Sequence, residues 1–224
     1  MQEGFRVFFL AAAGWAVLAM LLYVLQLSGI AVMSPAFPLV DWHIHEFLFG
    51  YTGAVIAGFA LTLIVMVGGR IIPAVTREWM NEHGDPALPP DFDVFDGVTI
   101  AVSALALGLW AMAPYASTSA LLLAFAGVLN FARLARWHGS RVHAEGLLAV
   151  LHIAYAFIPV GLLAMALSAF DPLLMPPSAA MHLLTIGAIT MMTLAVMTRI
   201  SLDHTGRPLH ADRVILAIYV AMTL

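Results

Sequence analysis

The chain has 224 residues, 62% hydrophobic and 10% charged, with a net charge of −4. A soluble domain covers its surface with roughly 25% charged residues, so a water-facing globule is excluded and lipid is the solvent for most of this sequence. Cysteine is absent, which excludes disulfides and thiolate metal sites; any metal must be held by His, carboxylate, Met or Tyr.

A spanning helix needs about 20 apolar residues. Residues 8–30 form the first such run. It is too long for a signal-peptide core and lacks a clear small-x-small cleavage site, so it reads as a retained membrane helix. Residues 47–67 form the second. The stretch from Gly68 to Asp93 reads as a loop, because residues 78–91 are polar, acidic and Pro-rich. The third run covers 98–113, or starts near Val94 if Asp96 is tolerated at its end. Runs at 117–134, 146–169 and 179–198 follow. A seventh begins at Val214 and is still apolar at Leu224; about 11 residues cannot cross a bilayer, so a fragment cut inside a helix is expected. The expected fold is an all-α polytopic transmembrane bundle, one domain over 1–224, with six complete spans and a partial seventh.

There is no Lys, and all nine basic residues are Arg. Arg6, then Arg70 and Arg77, then Arg133, Arg136 and Arg141, then Arg199, Arg207 and Arg213 fall at alternate connections of the six helices, on the same side each time. The positive-inside rule makes that side the cytoplasm and places the N-terminus there. No glycine-rich phosphate loop follows a strand and no basic patch interleaves with aromatics, so nucleic acid is excluded as a partner.

Most of the nine histidines sit in or near the Arg-bearing connections: His83, His138, His143, His204 and His210 read as solvated loop residues. The other four do not. His43 and His45 stand with Glu46 at the outer mouth of the second helix. His182 lies roughly 6 Å inside the outer end of the sixth, and His152 roughly 9 Å from the inner end of the fifth, at 1.5 Å per residue. Ionisable groups inside a membrane are costly and usually mark a site. Neutral imidazole is the commonest metal ligand, and without Cys it is the natural ligand for copper or haem iron. The competing reading is an interhelical hydrogen bond.

Spacing adds detail. On a helix His43 and His45 point about 200° apart, so they share a face only in an extended chain, or else serve different partners. His43 and Glu46 share a helical face. The carboxylate there either orients an imidazole, carries protons from the outer face, or merely complements a helix N-terminus. The expected metal ligands are His43, His45 and His182, converging across the second and sixth helices. His152 and His182 are the expected cofactor-binding residues, and Glu46 the candidate catalytic group. Gly50, Ala54 and Gly58 form a small-residue stripe that admits another helix or, more sharply, a flat porphyrin. Met191, Met192 and Met197 read as packing, though thioethers can bind copper or haem.

Four blocks in the same order, WHIHEFLFGYTGAVIAGF, GGRIIPAVTR, LHIAYAFIPVGLL and HLLTIGAITMMTLAVMTRISLDHTGRPL, resemble the NnrS family. These are bacterial inner-membrane proteins containing haem and copper, associated with denitrification and the nitric oxide response. The resemblance implies haem and copper as cofactors, and places His43, His45, Glu46, His152 and His182 on motif positions without saying which histidine holds which group. Family members are longer, with more helices. Here residues 60–64 look like a join between the front of one family helix and the tail of another, and any ligand on the helices between is expected to be missing. The expected function is a haem- and copper-binding membrane protein of the nitric oxide response, with the bilayer and nitric oxide or a related small molecule as partners. Two alternatives stay open. One is a proton-coupled transporter of small molecules or ions, with Glu46 and the histidines as relay. The other is a membrane cytochrome-type electron carrier, which His152 and His182 suit poorly because they lie on opposite sides of the midplane.

Overall fold

The structure is a computed structural model. It describes residues 4–30 and 38–223, and the side chains among them except at 4–8, 45, 48, 49, 65, 66 and 223. The described residues form helices and turns with no strand. Helix α1 is Gly4–Leu27, and α2 runs without interruption over residues 39–82. Next come α3, Val94–Met112, α4, Ser117–Ala135, and α5, Gly146–Phe170. Helix α6 covers Pro177–His204, and α7 is the short Arg213–Thr223. Six of these are long and apolar enough to cross a membrane, and they are the six expected from hydropathy.

The second helix departs from expectation. The reading of Gly68 to Asp93 as a loop is corrected, because α2 continues through Gly68, Gly69 and Pro73 to Glu82. Two features carry the helix through. In a regular α-helix a proline ring clashes with the carbonyl four residues back. Here residues Leu63–Ile71 take the wider π-helical turn, and Pro73 falls in the first turn of the α-helical stretch Ile72–Glu82, at the junction where the bonding pattern changes. The stretch that looked like connector is also amphipathic. Ile72, Thr76 and Met80 are buried at four-residue spacing, and Met80 packs with Val142 and Leu148 in a small core at the Arg-rich end.

Helix α3 starts at Val94 because Asp93 and Asp96 form a reciprocal cap. Asp93 Oδ1 accepts from the Asp96 N–H and Asp96 Oδ2 from the Asp93 N–H, both at 3.2 Å. Such a box satisfies two of the N–H groups orphaned at a helix start.

Helix α5 is central. It packs against α4, against the inner half of α2 and along α6, while α1 lies at the edge against α2. The approach is close where α2 crosses α5. A Cβ on Gly68 would stand 2.2 Å from the Tyr155 ring, so only glycine lets the two backbones come this near.

Candidate functional site

At the Arg-poor end, α2 opens with an α-helical turn, Leu39–His45, and passes into a π segment, Glu46–Tyr51. His43 is therefore helical, and His43 and Glu46 share a face. That face is covered by α1. The half-buried His43 ring stacks on Tyr23, with centroids 4.3 Å apart and planes 20° off parallel. Glu46 Oε2 accepts from the Trp15 indole N–H at 3.1 Å. One turn on, a Cβ at Gly50 would meet Trp15 Nε1 at 2.2 Å. The small-residue stripe thus begins against a helix, and its first member makes room for the indole that holds Glu46.

The expected ligands sit as follows. The His45 side chain lies outside the described residues. His182 is exposed on the second turn of α6, and its Nδ1 donates to the Ser178 carbonyl at 2.6 Å. Among the described residues no three His, Asp or Glu side chains are grouped to hold a metal ion.

The fourth histidine expected within the apolar runs is different in kind. His152 is 7% exposed. Its Nδ1 donates to the Leu148 carbonyl one turn back, at 3.0 Å, which fixes the tautomer of a neutral ring and leaves the Nε2 lone pair pointing away. Nε2 is buried without a hydrogen-bond partner. The Trp137 backbone also interacts with the ring, though Nε2 makes no full hydrogen bond to it. Trp137's own ring stands edge-on at 6.5 Å. Buried imidazole nitrogens are normally satisfied, so this one has the chemistry of a ligand donor.

Below His152 lies a network the sequence did not suggest. By its position in sequence Arg133 reads as one of the connection arginines, but it belongs to α4 and is 1% exposed. Its Nε donates to Asp96 Oδ1 at 2.6 Å. Its Nη1 donates to the Ile64 carbonyl at 2.9 Å and to Tyr155 Oη at 3.3 Å. Tyr155 Oη donates in turn to Asn130 Oδ1 at 2.8 Å, and Asn130 Nδ2 to Ser103 Oγ at 2.9 Å. The chain of bonds ties α2, α3, α4 and α5 together. Ile64 lies in the first turn of the π segment, where bonding changes from four to five residues along and a carbonyl is freed for an outside donor. The signal available in the sequence was the set of polar residues inside apolar runs: Asp96, Ser103, Asn130 and Tyr155.

Outside the membrane-spanning segments, the Arg136 guanidinium pairs with Asp93 and holds its carboxyl at about 2, below the usual carboxylate range. Asp85 is lowered as well, first by the Ala87 N–H and then by Arg141. The Arg-rich end is thus pinned by charge pairs, Arg141–Asp85 at 3.0 Å among them.

Compared with known proteins, the NnrS protein family matches the chain over residues 1–64 and 61–224. The two stretches meet inside α2, at the place where the sequence alone suggested a join. No curated protein and no solved structure matches the chain.

Proposed function

Because the chain belongs to the NnrS family and carries six helices able to span a membrane, we propose that it is a haem- and copper-binding protein of the nitric oxide response in a bacterial cytoplasmic membrane. The observation that carries this reading is the orphaned Nε2 of His152, a buried imidazole donor with its tautomer already set by Leu148. His152 would hold haem iron, with His182 as a second cofactor-binding imidazole; His43, His45 and His182 would hold copper at the Arg-poor end. Haem iron and copper supply a site for a neutral diatomic ligand and a one-electron couple. Nitric oxide dissolves in lipid and needs no charged path, but any reduction of it consumes protons. Glu46, which accepts from the Trp15 indole N–H, would hold a proton at that mouth or orient His43. The donors fit the metals in chemistry. Gly139 packs directly on the ring, so a porphyrin would reach His152 Nε2 only with the turn at residues 138–141 displaced.

Helix α2 reads, on this proposal, as a composite of two family helices. Both run from the Arg-poor to the Arg-rich side, so joining them preserves the topology.

The test is the optical spectrum and metal content of the purified protein from haem-replete cells. A Soret band lost in His152→Ala, and copper lost in the double variant His43→Ala with His45→Ala, are the expected results. A colourless, metal-free protein overturns the reading.

A further inference from the structure

We propose that residues 138–141 are a lid over His152, and that Gly139 and the Arg141–Asp85 pair decide whether a ligand can reach Nε2 from the Arg-rich side. The site itself rests on the reading of His152 given above; the lid rests on geometry.

Four observations converge on this short turn. First, Gly139 lies against the imidazole: a Cβ there would be 2.5 Å from His152 Cδ2 and 3.2 Å from Nε2. Any other residue at 139 would hold the turn away from the ring. Second, His138 is the one described non-glycine residue with positive φ, at 54°. A left-handed residue without glycine is uncommon and is kept only where its surroundings impose it. It turns the chain sharply from the end of α4 back over α5.

Third, the hydrogen bonds of the turn are local. Arg141 N–H donates to the His138 carbonyl at 2.9 Å and Val142 N–H to the Gly139 carbonyl at 3.3 Å, and neither ties the turn to α5. Fourth, the segment is anchored at both ends and lightly held between them. Trp137 is 2% exposed, beneath the Arg133 guanidinium and edge-on to Tyr155, and Val142 is fully buried. Between these anchors the long-range tie of the turn is Arg141 to Asp85, a pair whose arginine is half exposed. Exposed pairs are weak, so the lid can open without disturbing the core. Beneath it sits the orphaned Nε2, whose unmet bonding is what a ligand would gain by entering.

The experiment uses the full chain in lipid nanodiscs, prepared without haem. Histidines are labelled with diethyl pyrocarbonate and the rate at each is read by peptide mass spectrometry. Wild-type His152 is expected to react far more slowly than exposed His143 and His182. Arg141→Gln, which leaves His152 and its neighbours intact, is expected to raise the His152 rate by up to about fivefold, the scale of losing an exposed ion pair, and Gly139→Ala, which props the turn open, is expected to raise it as well, with His182 unchanged. Wild-type labelling of His152 as fast as His143 overturns the lid. So does a His152 rate that neither variant moves while both retain the wild-type thermal midpoint. Hemin is then added to the same samples. A faster Soret band in the variants supports both the lid and the haem ligand. Faster labelling with no Soret band keeps the lid and removes haem.

Discussion

Arg133 and Asp96 meet at 2.6 Å, Nε to Oδ1, with side chains only 1% and 8% exposed. The pair joins α3 to α4 near the Arg-rich end. An unpaired charge there would face the desolvation cost of a membrane interior, but Arg133 is satisfied on several sides, by Asp96, the Ile64 carbonyl and Tyr155. Breaking such a pair from one side costs far more than removing both members, because a lone buried charge is left behind. Arg133→Leu is therefore expected to destabilise the fold by about 3–5 kcal/mol, read as a lowered thermal midpoint in detergent. The double variant with Asp96→Leu should recover part of that loss. Equal midpoints for Arg133→Leu and wild type would remove the network from the fold's supports.

Glycine at 68 is required by the Tyr155 ring. Gly68→Ala places a methyl where the ring already stands, at 2.2 Å, and overpacking of this kind costs about 1–3 kcal/mol. Gly97 in α3 is the control, since a Cβ there meets nothing within 4 Å. Gly97→Ala should be neutral or stabilising, by up to about 1 kcal/mol from helix propensity. The two substitutions are compared by thermal midpoint; a loss at 97 as large as at 68 would refute the packing argument.

Acid stability should depend on Asp93. Arg136 holds its folded pKa at about 2, against about 3.9 for a free Asp. A depressed carboxyl contributes stability that is present above the unfolded value and lost as pH falls through the folded one. The contribution is thus full above about pH 4 and disappears on the way down to about 2. Asp93→Asn keeps an N-cap side chain but has no charge to lose. Its midpoint should fall less than that of wild type over that pH interval. Parallel curves would show that the exposed pair is fully screened.

Glu46 and Trp15 separate two roles for the carboxylate. In Glu46→Gln the amide oxygen still accepts from Trp15 Nε1, so the geometry of the mouth is kept. If Glu46 only orients a ligand, metal content and nitric oxide tolerance stay near wild type. If it carries protons, metal is retained and tolerance is lost. Trp15→Phe removes the donor to Glu46 and should lower metal content or activity on the 10- to 100-fold scale of outer-shell losses. Unchanged metal, spectrum and tolerance in Glu46→Gln and in the double variant His43→Ala with His45→Ala would reduce the stretch to a polar helix entrance.

Orientation is checked by reporter fusions. Those after Pro114 and Asp171 should read periplasmic and those after Gly84, Gly139 and Gly206 cytoplasmic, because the arginines gather on the second set. Two inverted signals would defeat the assignment.

Span number and helix order were legible in the residue string. A membrane demands that backbone groups bond within each segment, so an apolar run of sufficient length is a helix whatever surrounds it. The positions of His152, His182 and Glu46 along their helices followed from counting along those runs. The α3 start at Val94 was half legible, since Asp93 and Asp96 are spaced as a capping pair. The extension of α2 to Glu82 was not, because Gly68, Gly69 and Pro73 read as breakers until the π turn and the packing of Met80 are known. The rotation of each helix about its axis was hidden as well. A helix in water shows its buried face as an apolar stripe; in lipid both faces are apolar, because the solvent is as greasy as the core. So Trp15 as the partner of Glu46, Tyr155 against Gly68, Arg133 turned inward, and the turn at Gly139 seated on His152 all waited for the tertiary structure. Hydropathy is a property of each residue summed along the chain, whereas a contact depends on two rotations and a neighbour.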